Sequence, residues 1–305
     1  MYSEYLDKDR AAVYTQIIRK TFTWGALVVG LYGVIQFFWV PPWDVMWMEN
    51  APINVEGSPE PLQVRVFSTM NSAGPMAVVL FAAVMMLTMR RGFMNFVASA
   101  AAYLSIALSQ VRSTWAGWVI AMTYLFIQQK RDFTRIVVGI VIFAAFFAGA
   151  MQIEGIGDVL QQRLTSFTDL KNDQSFEDRQ SGYVQMVDYV LTAPFGTGLG
   201  TMEASFTLKT PLGAHDSGLW EVLLSLGWVG GAMYLGAVVY MAWLTIKPGF
   251  ARSEFTLISS CICLGLLSQF FLGTSTLSLP GVIVWSFAGI CIASQTHEAP
   301  GTGTK

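Results

Sequence analysis

Charge is scarce in this chain. Lys, Arg, Asp and Glu make up 12% of 305 residues against 53% hydrophobic, and the charges cluster between long apolar runs. A soluble domain carries about twice that share of charge, so an integral membrane protein is expected. Basic excess is missing too: the net charge of -2 offers no field for a nucleic-acid partner. Cysteine is nearly absent, and Cys261, Cys263 and Cys291 all lie inside apolar runs. That pattern predicts small buried residues rather than disulfides or a metal centre. Neither Gly-Xaa-Ser-Xaa-Gly nor His-Glu-Xaa-Xaa-His occurs, which removes ordinary hydrolase and metalloprotease chemistry. About twenty polar residues precede the first apolar run. They lack the form of a cleavable signal peptide, so that run is expected to be a retained span.

What the chain does have is apolar segments close to bilayer thickness. Eight are expected, at about 22–40, 75–89, 93–109, 114–129, 136–152, 218–246, 255–273 and 279–294. The fold class is therefore an all-α polytopic membrane protein of about eight transmembrane helices with one large periplasmic loop containing short helices. Residues 1–152 supply helices 1–5 with a short outer loop at 41–75, residues 153–216 the large loop, and 217–305 helices 6–8 with a cytoplasmic tail. Twelve of the eighteen Lys and Arg fall on alternate short connections, from Lys8 and Arg10 through Arg90 and Arg91 to Lys247 and Arg252. The positive-inside rule then puts both termini in the cytoplasm. The opposite connections carry thirteen acids, from Asp44 to Asp216. Pro41, Pro42, Trp43 and Trp47 in the first of them suit a segment lying at headgroup level.

The large loop carries most of the chemistry. Local signals predict one short helix over about 158–167 and a second starting with Ser175 as N-cap and ending before Pro194. Tyr183, Met186, Val187, Val190 and Leu191 recur at three and four, giving the second helix an apolar face. Arg179, four before Tyr183, shares that face. His215 immediately precedes a long span that Asp216 or Ser217 can cap. Gly196-Thr197-Gly198-Leu199-Gly200 follows a helix and a proline rather than a strand. It reads as a tight turn, one whose amides can face an anion, and not as a dinucleotide loop. Asp169, Asp173, Glu177 and Asp178 lack calcium-loop order and read as a solvated face.

Arg65, Arg112, Arg179 and His215 come from four distant segments, all assigned to the outer side. Singly, each has a plain reading as a span-end anchor or a capping residue. Jointly they suit a phosphate-bearing lipid and a proton to remove, because guanidinium groups bind phosphate oxygens bidentately and histidine is a general base near neutral pH.

The stretches 65–75, Ser109 to Gly117, 163–167, the Arg179 helix, Ala193 to Gly200, and His215 to Gly230 occur in this order. Together they resemble the O-antigen ligase and O-antigen polymerase superfamily, bacterial lipid-carrier-dependent envelope glycan transferases, over about residues 60–245. What the resemblance implies is a multi-pass glycosyltransferase of the bacterial inner membrane with its active site facing the periplasm. Its donor would be a glycan on undecaprenyl diphosphate, and its acceptor a glycan, a lipid core or a protein. By the same resemblance Arg112 and Arg179 bind the diphosphate and assist its departure, His215 deprotonates the acceptor, and Arg65 is a further substrate-binding position. No cofactor or metal is expected. Two departures stand out: His215 to Gly227 is one residue longer than the family's usual spacing, and family members usually have about twelve spans. A multispan transporter, or a non-catalytic or truncated family member, is the alternative.

Overall fold

A computed structural model describes residues 2–51, 56–128, 141, 144–145, 148–149, 151–152, 187, 190–198, 217–246, 253–270, 273 and 278–296. The described residues are all-α, with no strand ladder and one isolated bridge between Gly57 and Val64. Helices are α1 (Tyr2–Tyr5), α2 (Lys8–Phe38), α3 (Pro42–Asn50), α4 (Ala73–Thr88), α5 (Phe93–Leu108), α6 (Arg112–Gln128), α7 (Gly218–Ile246), α8 (Glu254–Leu267) and α9 (Ser278–Thr296), with a 3-10 turn at Ser68–Met70. Two helices, α2 and α7, are long and apolar enough to cross a membrane; α4, α5 and α8 are apolar and shorter.

Several boundaries differ from the sequence expectation. The first span was placed from residue 22, but α2 begins at Lys8, because the Asp7 carboxylate accepts from the amides of Asp9 (2.9 Å) and Arg10 (3.4 Å) and starts the helix in polar sequence. The Pro- and Trp-rich loop contains a helix, α3, with Pro42 at its first turn, where a missing N–H costs nothing. The seventh span was drawn to 273, yet α8 stops at Leu267 and the chain turns through Ser268, Gln269 and Phe270. The expected span at 136–152 lies largely outside the described residues.

Close crossings made by small residues hold the helices together. Ser105 Oγ of α5 donates to the Gly30 carbonyl of α2 at 2.7 Å. A Cβ on Gly30 would sit 2.8 Å from the Ala101 and Ala102 backbone, so only glycine lets these two backbones approach. Between α6 and α8, a Cβ on Gly117 would meet the Gly265 carbonyl at 2.5 Å. Helix α4 runs through the middle, with Met76, Leu80, Phe81 and Met85 fully buried. Cys261, Cys263 and Cys291 are free and buried, as expected.

The described helices leave two distinct ends. At the α1 end, Arg19 of α2 meets Glu254 of α8, and the Tyr124 hydroxyl of α6 donates to the Thr245 carbonyl of α7 at 2.6 Å. The opposite end holds the end of α2, the starts of α4, α6 and α7, and the ends of α5 and α8. Arg65 and Arg112 both belong to it.

Candidate functional site

The Arg65 end is built on buried polar side chains. Gln36, fully buried near the end of α2, accepts from the amides of Phe67 (3.0 Å) and Ser68 (2.8 Å), and its own amide donates to Asp44 at 2.8 Å. The Tyr32 hydroxyl donates to the same Asp44 oxygen at 2.8 Å and accepts from Trp43 Nε1. This network locks α3 and the 3-10 turn to α2. A few residues earlier, Glu56 is buried and its carboxylate accepts from the Ala73 amide, at the start of α4, at 3.1 Å. Burial pushes the Glu56 carboxyl above its usual range, against the opposing pull of the Ala73 amide, the Arg65 charge and the Ser72 hydroxyl.

Arg65 is tied to this frame by its backbone and its side chain. Its amide donates to the Glu56 carbonyl at 2.8 Å, and its Nε reaches the Ser109 carbonyl at the end of α5 at 3.4 Å. Ser109 lies three residues before Arg112, across a turn in which Gln110 adopts φ 57°. Arg112 then opens α6. Its cation adds to the partial positive charge of that helix N-terminus, and both favour an anion at the same place.

Contacts continue from Arg112 to the start of α7. Two residues along α6, Thr114 Oγ1 bonds Gln269 at 3.4 Å, just beyond α8. The next carbonyl, Phe270, accepts from the Gly218 amide at 3.1 Å, as does the Gly273 carbonyl. A Cβ on Gly218 would come within 2.9 Å of the Phe270 ring, so the first residue of α7 must be glycine to sit there. Ser217, expected as a cap, has a buried hydroxyl that makes no hydrogen bond among the described residues.

Helix α7, drawn from sequence as one span, is broken at Gly227 (φ 68°, ψ -167°), a conformation open essentially to glycine alone. The turn at 194–198 fits into the break. Thr197 donates through its amide (2.8 Å) and hydroxyl (3.0 Å) to the Leu224 carbonyl, Gly198 through its amide to Ser225 (3.1 Å), and the Trp228 amide reaches back to Pro194 (2.9 Å). The tight turn was foreseen, but these amides face helix carbonyls and not an anion. Of the apolar face expected on the preceding helix, Val190 is buried against Leu224, while Val187 and Leu191 are exposed.

Backbone strain gathers at the same end. Leu62, Ser68, Asn71 and Gln110 are the non-glycine residues with φ in the left-handed region among those described, and all four lie within six residues of Arg65 or Arg112 in sequence. Such conformations cost about 1–3 kcal/mol each and persist where the surroundings dictate them.

Of the residues singled out by sequence, Arg65 and Arg112 are brought to one end of the helical body. Arg179 and His215 lie outside the described residues, as do the predicted helix at 158–167 and the acids of its neighbourhood. Sequence reasoning passed over Gln36 and Glu56. An isolated Gln in an apolar run and an acid before a proline-rich loop were the only local signs of them, since the backbone amides they accept from are 17 to 32 residues away. No protein family, curated protein or solved structure matches the chain.

Proposed function

We propose that the chain is a multi-pass membrane glycosyltransferase that moves or polymerises a glycan from undecaprenyl diphosphate onto an acceptor hydroxyl, in bacterial surface polysaccharide biosynthesis. The observation that carries this reading is the run of contacts Arg65–Ser109, Thr114–Gln269 and Phe270–Gly218. It leads from Arg65, through the turn before Arg112 and the first turn of α6, to the start of α7, three residues after His215 in sequence. The reading further takes the Arg65 end as the periplasmic face of the inner membrane, in keeping with basic residues at the α1 end such as Lys8, Arg10 and Arg19.

In this mechanism the acceptor oxygen attacks the anomeric carbon, the bond from that carbon to the diphosphate oxygen breaks, and undecaprenyl diphosphate leaves with the electron pair. Arg112 and Arg179 meet the charge developing on the diphosphate, a task that needs prepositioned cations in a site shielded from water. His215 takes the proton of the acceptor hydroxyl in the same step, which inverts the anomeric centre. Arg65, held by the Ser109 and Glu56 carbonyls, adds a further cation to the diphosphate-binding surface.

A broken helix is also a feature of transporters, where freed backbone groups coordinate an ion. In α7 the carbonyls of Leu224 and Ser225 and the amide of Trp228 are taken up by the 194–198 turn instead, so the break does not favour transport. The test is transfer from a synthetic undecaprenyl-diphosphate glycan by the purified full chain in lipid nanodiscs, with chelator, beside His215→Ala and Arg179→Ala. Product from the native chain, reduced about a hundredfold or more in each variant, is the expected result. Absence of product across glycan, lipid-core and protein acceptors, or equal rates in the variants, would overturn it.

A further inference from the structure

The break in α7 is more than a bent helix. In an unbroken helix the Leu224 carbonyl would accept from the Trp228 amide, four residues on. Here that one hydrogen bond is opened and each half is paired with the same turn: Leu224 O with Thr197, and Trp228 N with Pro194 O. Two further bonds flank it, Gly198 N to Ser225 O at 3.1 Å and Trp228 Nε1 to Val190 O at 2.6 Å. The fit leaves no room for side chains on either partner. A Cβ on Gly196 would lie 2.5 Å from the Gly227 amide, and one on Gly227 would collide with the Pro194 carbonyl.

The consequence is mechanical. The break separates residues 218–226 from the rest of α7, so this short arm does not follow the axis of the long arm. Its direction is set at one end by Gly218 on the Phe270 and Gly273 carbonyls and at the other by the 194–198 turn. The turn cannot leave without breaking, together, its bonds to the Leu224 and Ser225 carbonyls and to the Trp228 amide. Thus the turn and the short arm move as one body. In sequence, Arg179 lies in the segment leading into the turn and His215 in the segment leading into the short arm.

We propose that Thr197 and Trp228, with Gly196 and Gly227 making room for them, are positioning residues: they clamp residues 190–198 to the short arm of α7, and so fix the points from which the chain leads, in sequence, back to Arg179 and to His215. The second half of this statement rests on the transferase reading; the clamp itself does not.

Two readouts test it on the full chain in nanodiscs. Spin labels at Leu191→Cys and Val239→Cys report the clamp, since both positions are exposed and Val239 stands about 17 Å along α7 from Trp228, while the native cysteines are buried. Thr197→Val removes the hydroxyl donor and keeps the amide; Trp228→Phe removes the indole donor and keeps the ring. The pair together is expected to at least double the width of the distance distribution and to lower kcat about tenfold with the donor KM unchanged, two hydrogen bonds being lost from positioning and none from substrate. Thr197→Ser, which retains the hydroxyl, keeps native width and rate. An unchanged width in the double variant overturns the clamp, and a broadened width with unchanged kcat overturns its role in positioning. If the native chain transfers no glycan, the transferase reading fails on its own and the width still decides whether the clamp exists.

Discussion

The two ends of the helical body are held by different chemistry. At the Arg65 end, Gln36, Asp44 and Glu56 are buried and bonded to backbone amides or to other buried side chains, and four non-glycine residues adopt left-handed φ. At the α1 end, Arg19 meets Glu254 at 3.7 Å with both side chains partly exposed, and Tyr5 and Arg19 stack on Phe255. Contacts of the second kind tolerate movement, because water and counter-ions replace whatever is lost. Those of the first kind do not, since each broken bond leaves a buried group unpaired. The comparison teaches that buried polar contacts interlock several segments at the end bearing Arg65 and Arg112, while at the α1 end the buried Tyr124–Thr245 bond stands beside exposed ones.

The sharpest way to break that comparison is to remove one arginine from each end. On the transferase reading, Arg112→Ala is expected to lower kcat for glycan transfer by about 10²–10³, the range for losing one donor that meets developing charge, and Arg19→Ala to leave it within twofold. Equal losses would dissolve the distinction between the ends. The next largest effect is on folding: Gly227→Ala forces an L-residue into φ 68° and a Cβ onto the Pro194 carbonyl. A loss of about 3 kcal/mol is expected in thermal unfolding of the purified chain, whereas Gly25→Ala, which meets nothing within 4 Å, should cost little or even stabilise α2.

Much of this was legible in the sequence, for a definite reason. Hydropathy and alternating basic connections depend on local composition, and they located α4, α5, α6, α7 and α9 as apolar segments to within a few residues. They did not locate the start of α2, because a helix capped by Asp7 continues through polar residues that a hydropathy window passes over. The α7 break was hidden for the opposite reason: Ser225-Leu226-Gly227-Trp228 sits in an apolar run, and the groups that stabilise its kink come from 194–198. Arg112 was recognisable as a cation at a helix end; the tether of Arg65 to Ser109 was not, as it spans 44 residues and uses a carbonyl that any residue type supplies.

Glu56 sharpens the comparison through pH. Burial raises its folded-state pKa above the ordinary carboxyl value, so the folded chain holds this proton more tightly than the unfolded chain does. The stability it contributes is then fully present below the unfolded carboxyl pKa and is lost as pH rises through the raised folded value. Native protein is expected to show a thermal midpoint that declines across this acid window, and Glu56→Gln, which cannot ionise but still accepts from the Ala73 amide, a flatter profile. A parallel slope in the two proteins would show that the Glu56 environment is wetter than its burial implies.

The smallest effect belongs to the α1 end. The Arg19–Glu254 pair has side chains 26% and 46% exposed, so Coulomb attraction is screened and two long side chains must be ordered to make it. A double-mutant cycle over Arg19→Ala and Glu254→Ala is expected to give a coupling below about 1 kcal/mol that shrinks with added salt. Part of the single-variant loss at Arg19 comes instead from the Phe255 ring, 5.4 Å from the guanidinium carbon. That part survives in Glu254→Ala and, being a contact of cation with ring face, is worth about 0.5–1 kcal/mol at an exposed site. A coupling of 3 kcal/mol or more, insensitive to salt, would mean that the α1 end is locked as firmly as the Arg65 end, and rigidity would then no longer set the two ends apart.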